Sequence, residues 1–293
     1  MTWRKLWIET AEALGEAVGD RPDAANEARW LCEEASGTTG AEWMAELDTA
    51  ASAGSVARLD AMVERRLAGE PLQYVIGSWG FRHLELMVDR RVLIPRPETE
   101  HVVEVALSLA AAMPRPIVVA DLGTGSGAIA LSLAYELPLS GVEVWATDQS
   151  GDALDVARAN LAGLGRSAAN VRVAQGDWFG ALPAELEGRL DLVVSNPPYV
   201  AAGEPLDDAV RHFEPPEALF AGPDGLDAIR ILVAGAARWL RPGGALVVEI
   251  GAGQGRATAD LARAAGLTEV EVVGDLAGRD RVLTAARSLA SVC

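Results

Sequence analysis

The sequence predicts an α/β protein in which a small all-helical domain and a β-hairpin linker precede a doubly wound sheet. Apolar residues at helical spacing occupy the first 70 positions, and short alternating stretches follow up to position 97. From position 98 onwards, segments with a helical pattern alternate with apolar runs of strand length. Such repeated units are typical of a sheet covered by helices on both faces. We therefore expect three parts, at residues 1–70, 71–97 and 98–293.

The predicted helical domain has three segments in which apolar residues recur every three or four positions. The first lies around Leu6, the second runs from Ala28 to Ala35, and the third runs from Ser55 to Leu67. Glycines between the segments predict short connections, as in a helical bundle. Because indoles are mostly buried, we expect the tryptophans of this region to pack in its core or between its helices: Trp3, Trp7, Trp30 and Trp43.

In the linker, Leu84, Leu86 and Val88 recur at period two, which predicts paired strands. Beyond the linker, apolar runs such as PIVVADLG, at 116–123, are typical of strands buried on both faces. Helices are expected at 98–113, 127–136, 151–163, 226–240 and 255–265. Strands are expected at 116–123, 142–148, 171–177, 190–199, 244–250, 268–273 and 280–285.

Composition and charge narrow the classes of function. The chain has 42 acidic and 25 basic residues and a formal net charge of −17, which disfavours non-specific phosphate contacts and predicts no direct nucleic-acid partner. Cys32 and Cys293 outline no disulfide framework, and with three histidines no metal site is expected. The amphipathic amino end and the lack of an apolar run of about 18 residues predict a cytoplasmic protein without membrane contact.

A glycine-rich loop directly follows the first predicted strand of the sheet and opens the next helix. Glycines at alternate positions allow the backbone to turn sharply and to approach a ligand closely. As a bare pattern the loop also satisfies a dinucleotide fingerprint, so the loop alone does not separate NAD from other adenosine cofactors. We expect cofactor binding by Gly123, Thr124, Gly125, Ser126 and Gly127.

Two further side chains follow the next strands of the predicted sheet. Asp148 ends the second strand, 25 residues beyond Gly123, where an acidic side chain accepts hydrogen bonds from ribose hydroxyls. Trp178 follows the third strand, where an aromatic ring is placed to flank an adenine. Open α/β sheets bind ligands at the carboxyl ends of their strands, so we expect both residues beside the glycine loop.

The segment Asn196-Pro197-Pro198-Tyr199 follows the apolar strand LDLVV. Two consecutive prolines stiffen the backbone, remove two N–H donors and hold carbonyls in a fixed direction. We expect the Asn196 side-chain oxygen and the Pro197 carbonyl to accept the two N–H bonds of a planar amino group and to stabilise its developing positive charge. Tyr199 is expected to pack on the planar group or near a sulfonium cation.

Together these motifs resemble class I S-adenosylmethionine methyltransferases that modify amino groups on planar systems. Within that group, GEPLQYVIG at 69–77 and LIPRPETE at 93–100 look like the protein-(glutamine-N5) methyltransferases that act on peptide chain release factors. Near-matches at NEARWLCEEASG and GRDRVL extend the resemblance over nearly the whole chain. The NPPY motif is shared with amino-methyltransferases of DNA, whereas IPRPETE is far more specific. The hairpin departs from the family pattern at Arg82 and His83.

The resemblance implies a Rossmann-like methyltransferase sheet, with S-adenosylmethionine as methyl donor, S-adenosylhomocysteine as product and no metal. It implies transfer to the side-chain amide nitrogen, N5, of the glutamine in the Gly-Gly-Gln motif of release factors, which the helical domain docks. By position, it implies catalytic roles for Asn196, Pro197 and Tyr199, substrate contacts from these residues and Pro198, and a cofactor contact from Asn196 as well.

Three other functions are compatible with parts of the sequence. A DNA or RNA amino-methyltransferase would use the same NPPY site, but a basic region with interleaved aromatic residues is missing. An NAD-dependent oxidoreductase would use the glycine loop and leave the NPPY motif without a role. A non-enzymatic interaction module would leave the cofactor-facing residues without a role.

Overall fold

The computed structural model describes residues 1–17, 23–275 and 277–289. The chain divides into two units, Met1–Ser78 with Asp207–Phe213, and Trp79–Leu206 with Glu214–Cys293. Within the described residues, no helix combines the length and the apolar character needed to cross a membrane.

The first unit is helical. Its helices are α1 (Trp3–Ala17), α2 (Ala24–Ser36), α3 (Gly40–Glu46), α4 (Ala53–Leu67) and α5 (Leu72–Ile76). Trp3 and Trp43 are buried and pack edge to face, with 5.5 Å between ring centroids. Trp7 donates its indole N–H to the Ala25 carbonyl at 2.8 Å, whereas Trp30 is 41% exposed. Burial of the tryptophans, expected for all four, therefore fails for Trp30.

The segment predicted as a hairpin begins with a short helix. Helix α5 follows Pro71, and it ends at Gly77, which has φ 88 in the left-handed region that closes helices. The paired strands start only after this glycine, as β1 (Ser78–Phe81) and β2 (Leu84–Met87). The predicted hairpin therefore starts later than expected, because a proline readily begins a helical turn and the period-two pattern applies only beyond Gly77.

Arg82, which departs from the family pattern, lies at the tip of the hairpin between β1 and β2. This residue has φ 52, and its guanidinium contacts Glu136 at 2.6 and 2.7 Å and Glu104 at 3.1 Å. The hydrogen bonds from Arg82 lower the pKa of Glu136. His83 lies 3.8 Å from the same carboxylate. The unusual arginine therefore ties the hairpin to the neighbouring helices.

The elements beyond the hairpin alternate as predicted. The helices are α6 (Pro97–Ala112), α7 (Ala128–Glu136), α8 (Gly151–Gly163), α9 (Asp208–Phe213), α10 (Asp227–Trp239) and α11 (Gly255–Ala264). The strands are β3 (Ile117–Leu122), β4 (Val142–Asp148), β5 (Val171–Gln175), β6 (Leu190–Ser195), β7 (Leu240–Glu249), β8 (Thr268–Gly274) and β9 (Asp280–Ala286). Helix α9 belongs to the first unit and was not predicted.

The seven strands form one sheet in the order β5-β4-β3-β6-β7-β9-β8. The strands from β5 to β7 pair in parallel, and β9 runs antiparallel to both β7 and β8. Successive residues of β3 belong to different hydrophobic clusters: Val119 belongs to the cluster that includes residues of α6 and α7, and Ala120 to the cluster that includes residues of α10 and α11. The doubly wound α/β prediction is confirmed.

Two strands end earlier than predicted. β6 stops at Ser195, four residues short of the expected end, and β5 stops at Gln175, two residues short. Pro197 and Pro198 have no N–H to donate to a neighbouring strand, so the ladder of β6 cannot continue through them. The NPPY segment is therefore a loop at the carboxyl end of β6.

Candidate active site

A cleft lies at the carboxyl ends of β3, β4 and β6, where open α/β sheets bind ligands. The residues predicted for the site that line it are Gly123, Thr124, Gly125, Ser126, Asp148, Trp178, Asn196 and Pro198. The other predicted site residues are not among the described residues that line the cleft: Gly127, Pro197 and Tyr199. Eight of the predicted residues thus share one cleft, and three do not line it.

The glycine loop owes its shape to positive φ angles. Gly123, Gly125 and Gly127 have φ of 75, 54 and 88, in the region that favours glycine. At Gly127 an added Cβ would lie 2.9 Å from Leu131 Cδ1, so this glycine also allows α7 to pack. At Gly125 an added Cβ would meet no atom within 4 Å, so the backbone there faces open space.

Asp148 holds the loop as well as facing the cleft. Its Oδ2 accepts from the Gly125 N–H at 2.9 Å, and its Oδ1 accepts from the Ser150 N–H at 2.9 Å. Burial raises the pKa of Asp148, these backbone hydrogen bonds lower it, and the Glu217 charge raises it further. A carboxylate offers about four acceptor positions, so capacity remains for ribose hydroxyls.

Trp178 lines the cleft from a strained backbone. Its φ of 45 is in the left-handed region, which costs a non-glycine residue about 1–2 kcal/mol. An added Cβ on Gly123 would lie 3.7 Å from the Trp178 ring, so the indole rests against the glycine loop. This placement beside Gly123 puts a flat aromatic surface in the cofactor half of the cleft.

Asn196 lines the cleft, and a hydrogen bond fixes the position of its side chain. Its Nδ2 donates to Thr99 Oγ1 at 3.0 Å, while the hydroxyl of the preceding Ser195 donates to the Leu122 carbonyl at 2.6 Å. Pro197 is buried, and Pro198 lines the cleft.

Tyr199 does not appear among the described residues that line the cleft, and its hydroxyl and carbonyl are both hydrogen-bonded within the protein. Its hydroxyl donates to Glu249 Oε1 at 3.2 Å, and burial raises its pKa. Its carbonyl accepts from Gln254 Nε2 at 3.0 Å. Gly225, with φ 72, approaches so closely that an added Cβ would lie 2.3 Å from this carbonyl oxygen. The end of the NPPY segment is therefore clamped by residues far along the chain.

Sequence reasoning missed two segments of the cleft and one buried acid. The motif LIPRPETE contributes Leu93, Pro95 and Thr99, and a later loop contributes Pro215, Glu217 and Ala218. Arg96 Nη2 joins the two segments by contacting Glu214 Oε1 at 2.5 Å. A signal for the buried acid was present, because Glu249 ends the apolar strand GALVVEI at the ligand-binding edge of the sheet.

The cleft fits an adenosine-containing cofactor. Open space at Gly125 allows a ligand to approach the backbone, Asp148 offers a partly buried acceptor, and Trp178 offers an aromatic face. Asn196 adds an amide to the lining of the same cleft. The arrangement suits a reaction in which a group on the cofactor meets a planar amide or amine.

Comparisons with known proteins agree on one family. The family model described as PrmC N-terminal domain matches residues 6–77, and that described as Methyltransferase small domain matches residues 106–214. A release factor glutamine methyltransferase from Xylella fastidiosa is 50% identical over 237 residues, covering 80% of this chain and 83% of the relative. Its namesake from Moorella thermoacetica is 46% identical over 291 residues, covering 98% and 99%.

Among solved structures, a methyltransferase from Pyrococcus furiosus resembles the chain with a TM-score of 0.50 at 17% identity. The likeness covers 81% of this chain and 100% of that chain, and it concerns the fold alone.

Proposed function

We propose that this chain, which belongs to the release factor glutamine methyltransferase family, transfers a methyl group to the N5 amide nitrogen of the Gly-Gly-Gln glutamine in peptide chain release factors. The chain is a methyltransferase by its matched domain and its relatives. The observation that carries the proposal is one cleft lined by the glycine loop, Asp148 and Asn196 together.

The cofactor half of the cleft suits S-adenosylmethionine, as the family implies. Gly123 to Gly127 would hold its methionine part, Asp148 its ribose and Trp178 the side of its adenine. When bound, S-adenosylmethionine supplies an electrophilic methyl group on a positively charged sulfur. The task of the protein is then to position a weak nucleophile and to stabilise charge.

The substrate half supplies acceptors for the target amide. An amide nitrogen is a poor nucleophile because its lone pair is delocalised into the carbonyl group. Since Asn196 Nδ2 donates to Thr99, its Oδ1 is left to accept one N–H of the glutamine, and the Pro197 carbonyl is proposed to accept the other. These contacts hold the nitrogen and stabilise its positive charge as the bond forms. The amide proton is lost after transfer, because the free amide is too weak an acid to lose it earlier.

Release factors are proposed as the partner that the helical first unit docks. The match of residues 6–77 to the PrmC N-terminal domain supports this assignment. The acidic net charge of −17 favours a protein partner over direct contact with nucleic-acid phosphates. We propose that the enzyme acts in the cytoplasm and uses no metal.

Mass spectrometry of a release factor incubated with the protein and S-adenosylmethionine tests the proposal. We expect a gain of one methyl group, located on the Gly-Gly-Gln glutamine, and no gain when that glutamine is replaced by alanine. Methylation at another residue, or methylation of DNA or RNA in place of the release factor, would contradict the proposed substrate.

A further inference from the structure

A chain of hydrogen bonds leads from the cleft to a buried acid. Asn196 Nδ2 donates to Thr99 Oγ1 at 3.0 Å, and Thr99 Oγ1 donates to Glu249 Oε2 at 2.7 Å. The Tyr199 hydroxyl donates to the other oxygen of Glu249 at 3.2 Å. Thr99 lies in the first turn of α6, Glu249 ends β7, and the other two residues follow β6. We call these four residues the amide relay.

The relay has a direction, because a hydroxyl carries a single proton. The Thr99 proton is directed to Glu249, so towards Asn196 the Thr99 oxygen can only accept. The Asn196 amide must then turn its NH2 group to Thr99. The carbonyl oxygen of the same amide is left as the acceptor for a ligand.

We propose that Glu249 is a positioning residue of the methyl transfer, which orients the Asn196 amide by accepting the protons of Thr99 and Tyr199. This inference rests on the proposed function, in which Oδ1 of Asn196 accepts an N–H of the target glutamine. If the Asn196 amide were reversed, its NH2 group would face the N–H donors of the substrate. The acceptor would then be replaced by a donor.

The hydrogen bonds to both oxygens of the buried Glu249 support its role as an acceptor. The residue has 0% exposure, and a buried carboxylate is unfavourable unless it is hydrogen-bonded. Burial raises its pKa, whereas the Thr99 hydrogen bond, the charge of Arg281 and the Tyr199 hydrogen bond lower it. A glutamine of the same shape has two N–H donors of its own, one of which would compete for a hydroxyl oxygen.

Glu249→Gln in the full chain tests the proposal, with release factor and S-adenosylmethionine as substrates. We expect kcat to fall by about 10- to 100-fold, as when an oriented donor or acceptor is lost. The dissociation constant of S-adenosylmethionine, measured by calorimetry, should stay within about threefold, as should KM for the release factor. Glu143→Gln is the matched control, since Glu143 accepts from the Trp145 indole at 2.7 Å and does not line the cleft among the described residues. Unchanged kcat in Glu249→Gln would overturn the proposal.

Thr99 variants provide a second test that does not require Glu249 to be replaced. Thr99→Val removes the hydroxyl at nearly constant shape, and we expect a loss of kcat similar to that of Glu249→Gln. Thr99→Ser restores the hydroxyl and should recover most of that loss. In Thr99→Val, adding Glu249→Gln should cost little more, because both changes break one relay. Losses that multiply would show independent effects and would contradict the relay.

A readout without turnover separates this inference from the proposed function. The side-chain NH2 signal of Asn196, identified by its loss in Asn196→Ala, should show one hydrogen-bonded proton in the wild type by NMR. In Glu249→Gln this signal should shift and lose its protection from exchange. If the wild type fails to methylate release factor, the proposed function is wrong, and an unchanged Asn196 signal in Glu249→Gln would separately overturn the relay.

Discussion

The glycine loop and the NPPY segment follow neighbouring strands and contribute to one cleft, but they are shaped in different ways. Gly123, Gly125 and Gly127 shape the loop through their own positive φ angles. The NPPY segment is instead held by Thr99, Glu249, Gln254 and Gly225, which come from distant parts of the chain. The comparison teaches that the backbone turns of the glycine loop are largely a local property of the chain, whereas orientation of the acceptor is a property of the fold.

The largest expected effect is on the acceptor side of the comparison. Asn196→Ala removes the acceptor while leaving the glycine loop intact, so the barrier to methyl transfer should rise by about 2–4 kcal/mol. Cofactor affinity should stay within several-fold. Steady-state kinetics and calorimetry measure the two quantities. Asn170→Ala is a control, since Asn170 caps the Leu139 carbonyl outside the cleft. A loss of cofactor binding as large as the loss of turnover would show that Asn196 contributes to cofactor binding as much as to the reaction.

The clamp on Tyr199 gives the next largest effect. Gly225→Ala adds a Cβ 2.3 Å from the Tyr199 carbonyl oxygen at φ 72, and the free energy of unfolding should fall by about 3 kcal/mol. Gly203 has φ 89 but an added Cβ would meet no atom within 4 Å, so Gly203→Ala isolates the cost of φ alone. Urea denaturation of both variants measures the difference. Equal losses would mean that the clamp contributes nothing.

On the cofactor side, Asp148→Ala should act on binding. Hydrogen bonds to a charged group contribute about 1.5–3 kcal/mol, so the dissociation constant of S-adenosylmethionine should rise by roughly 10- to 150-fold. With saturating cofactor, turnover should return to near the wild-type value. The exposed Asp155, paired with Arg158, is the control position. A loss of turnover that saturating cofactor does not restore would place Asp148 in the acceptor region as well.

The smallest expected effect concerns Asp121, the buried carboxyl group at the start of the glycine loop. Burial raises the pKa of Asp121 to about 7, and the Thr124 hydroxyl and Ala130 N–H donate to its Oδ2. The folded state therefore binds this proton more tightly than the unfolded state, whose carboxyl has an ordinary pKa of about 4. Stability contributed by the group is greatest at low pH and is lost as pH rises towards 7.

Between pH 5 and 7.5, the wild type should lose on the order of 2 kcal/mol of unfolding free energy more than Asp121→Asn does. Urea denaturation at several pH values, without cofactor, measures this difference. Parallel pH profiles for the two proteins would show that Asp121 does not titrate in this range. The result sharpens the comparison, because it tests how far the local loop depends on one buried carboxyl.

Much of the sheet and half of the site followed from sequence patterns. Apart from α9, the helices and strands beyond the hairpin were predicted, because apolar periodicity and glycine positions act over a few residues. The predicted ends of β5 and β6 were wrong by two and four residues, and α5 was missed inside the hairpin segment. These errors fall where a proline or a glycine changes the backbone.

The sequence by itself determined the fold class, the glycine loop and the residue types that suit a methyl transfer to an amide. Each of these depends on neighbours within one element or one loop. Only the tertiary structure decided that Tyr199 turns to Glu249 and that Thr99 lies between Asn196 and Glu249. Thr99 and Glu249 are 150 residues apart, and Thr99 and Asn196 are 97 apart. Contacts over such separations leave no periodic trace in the sequence, because they arise only when the sheet brings its strand ends together.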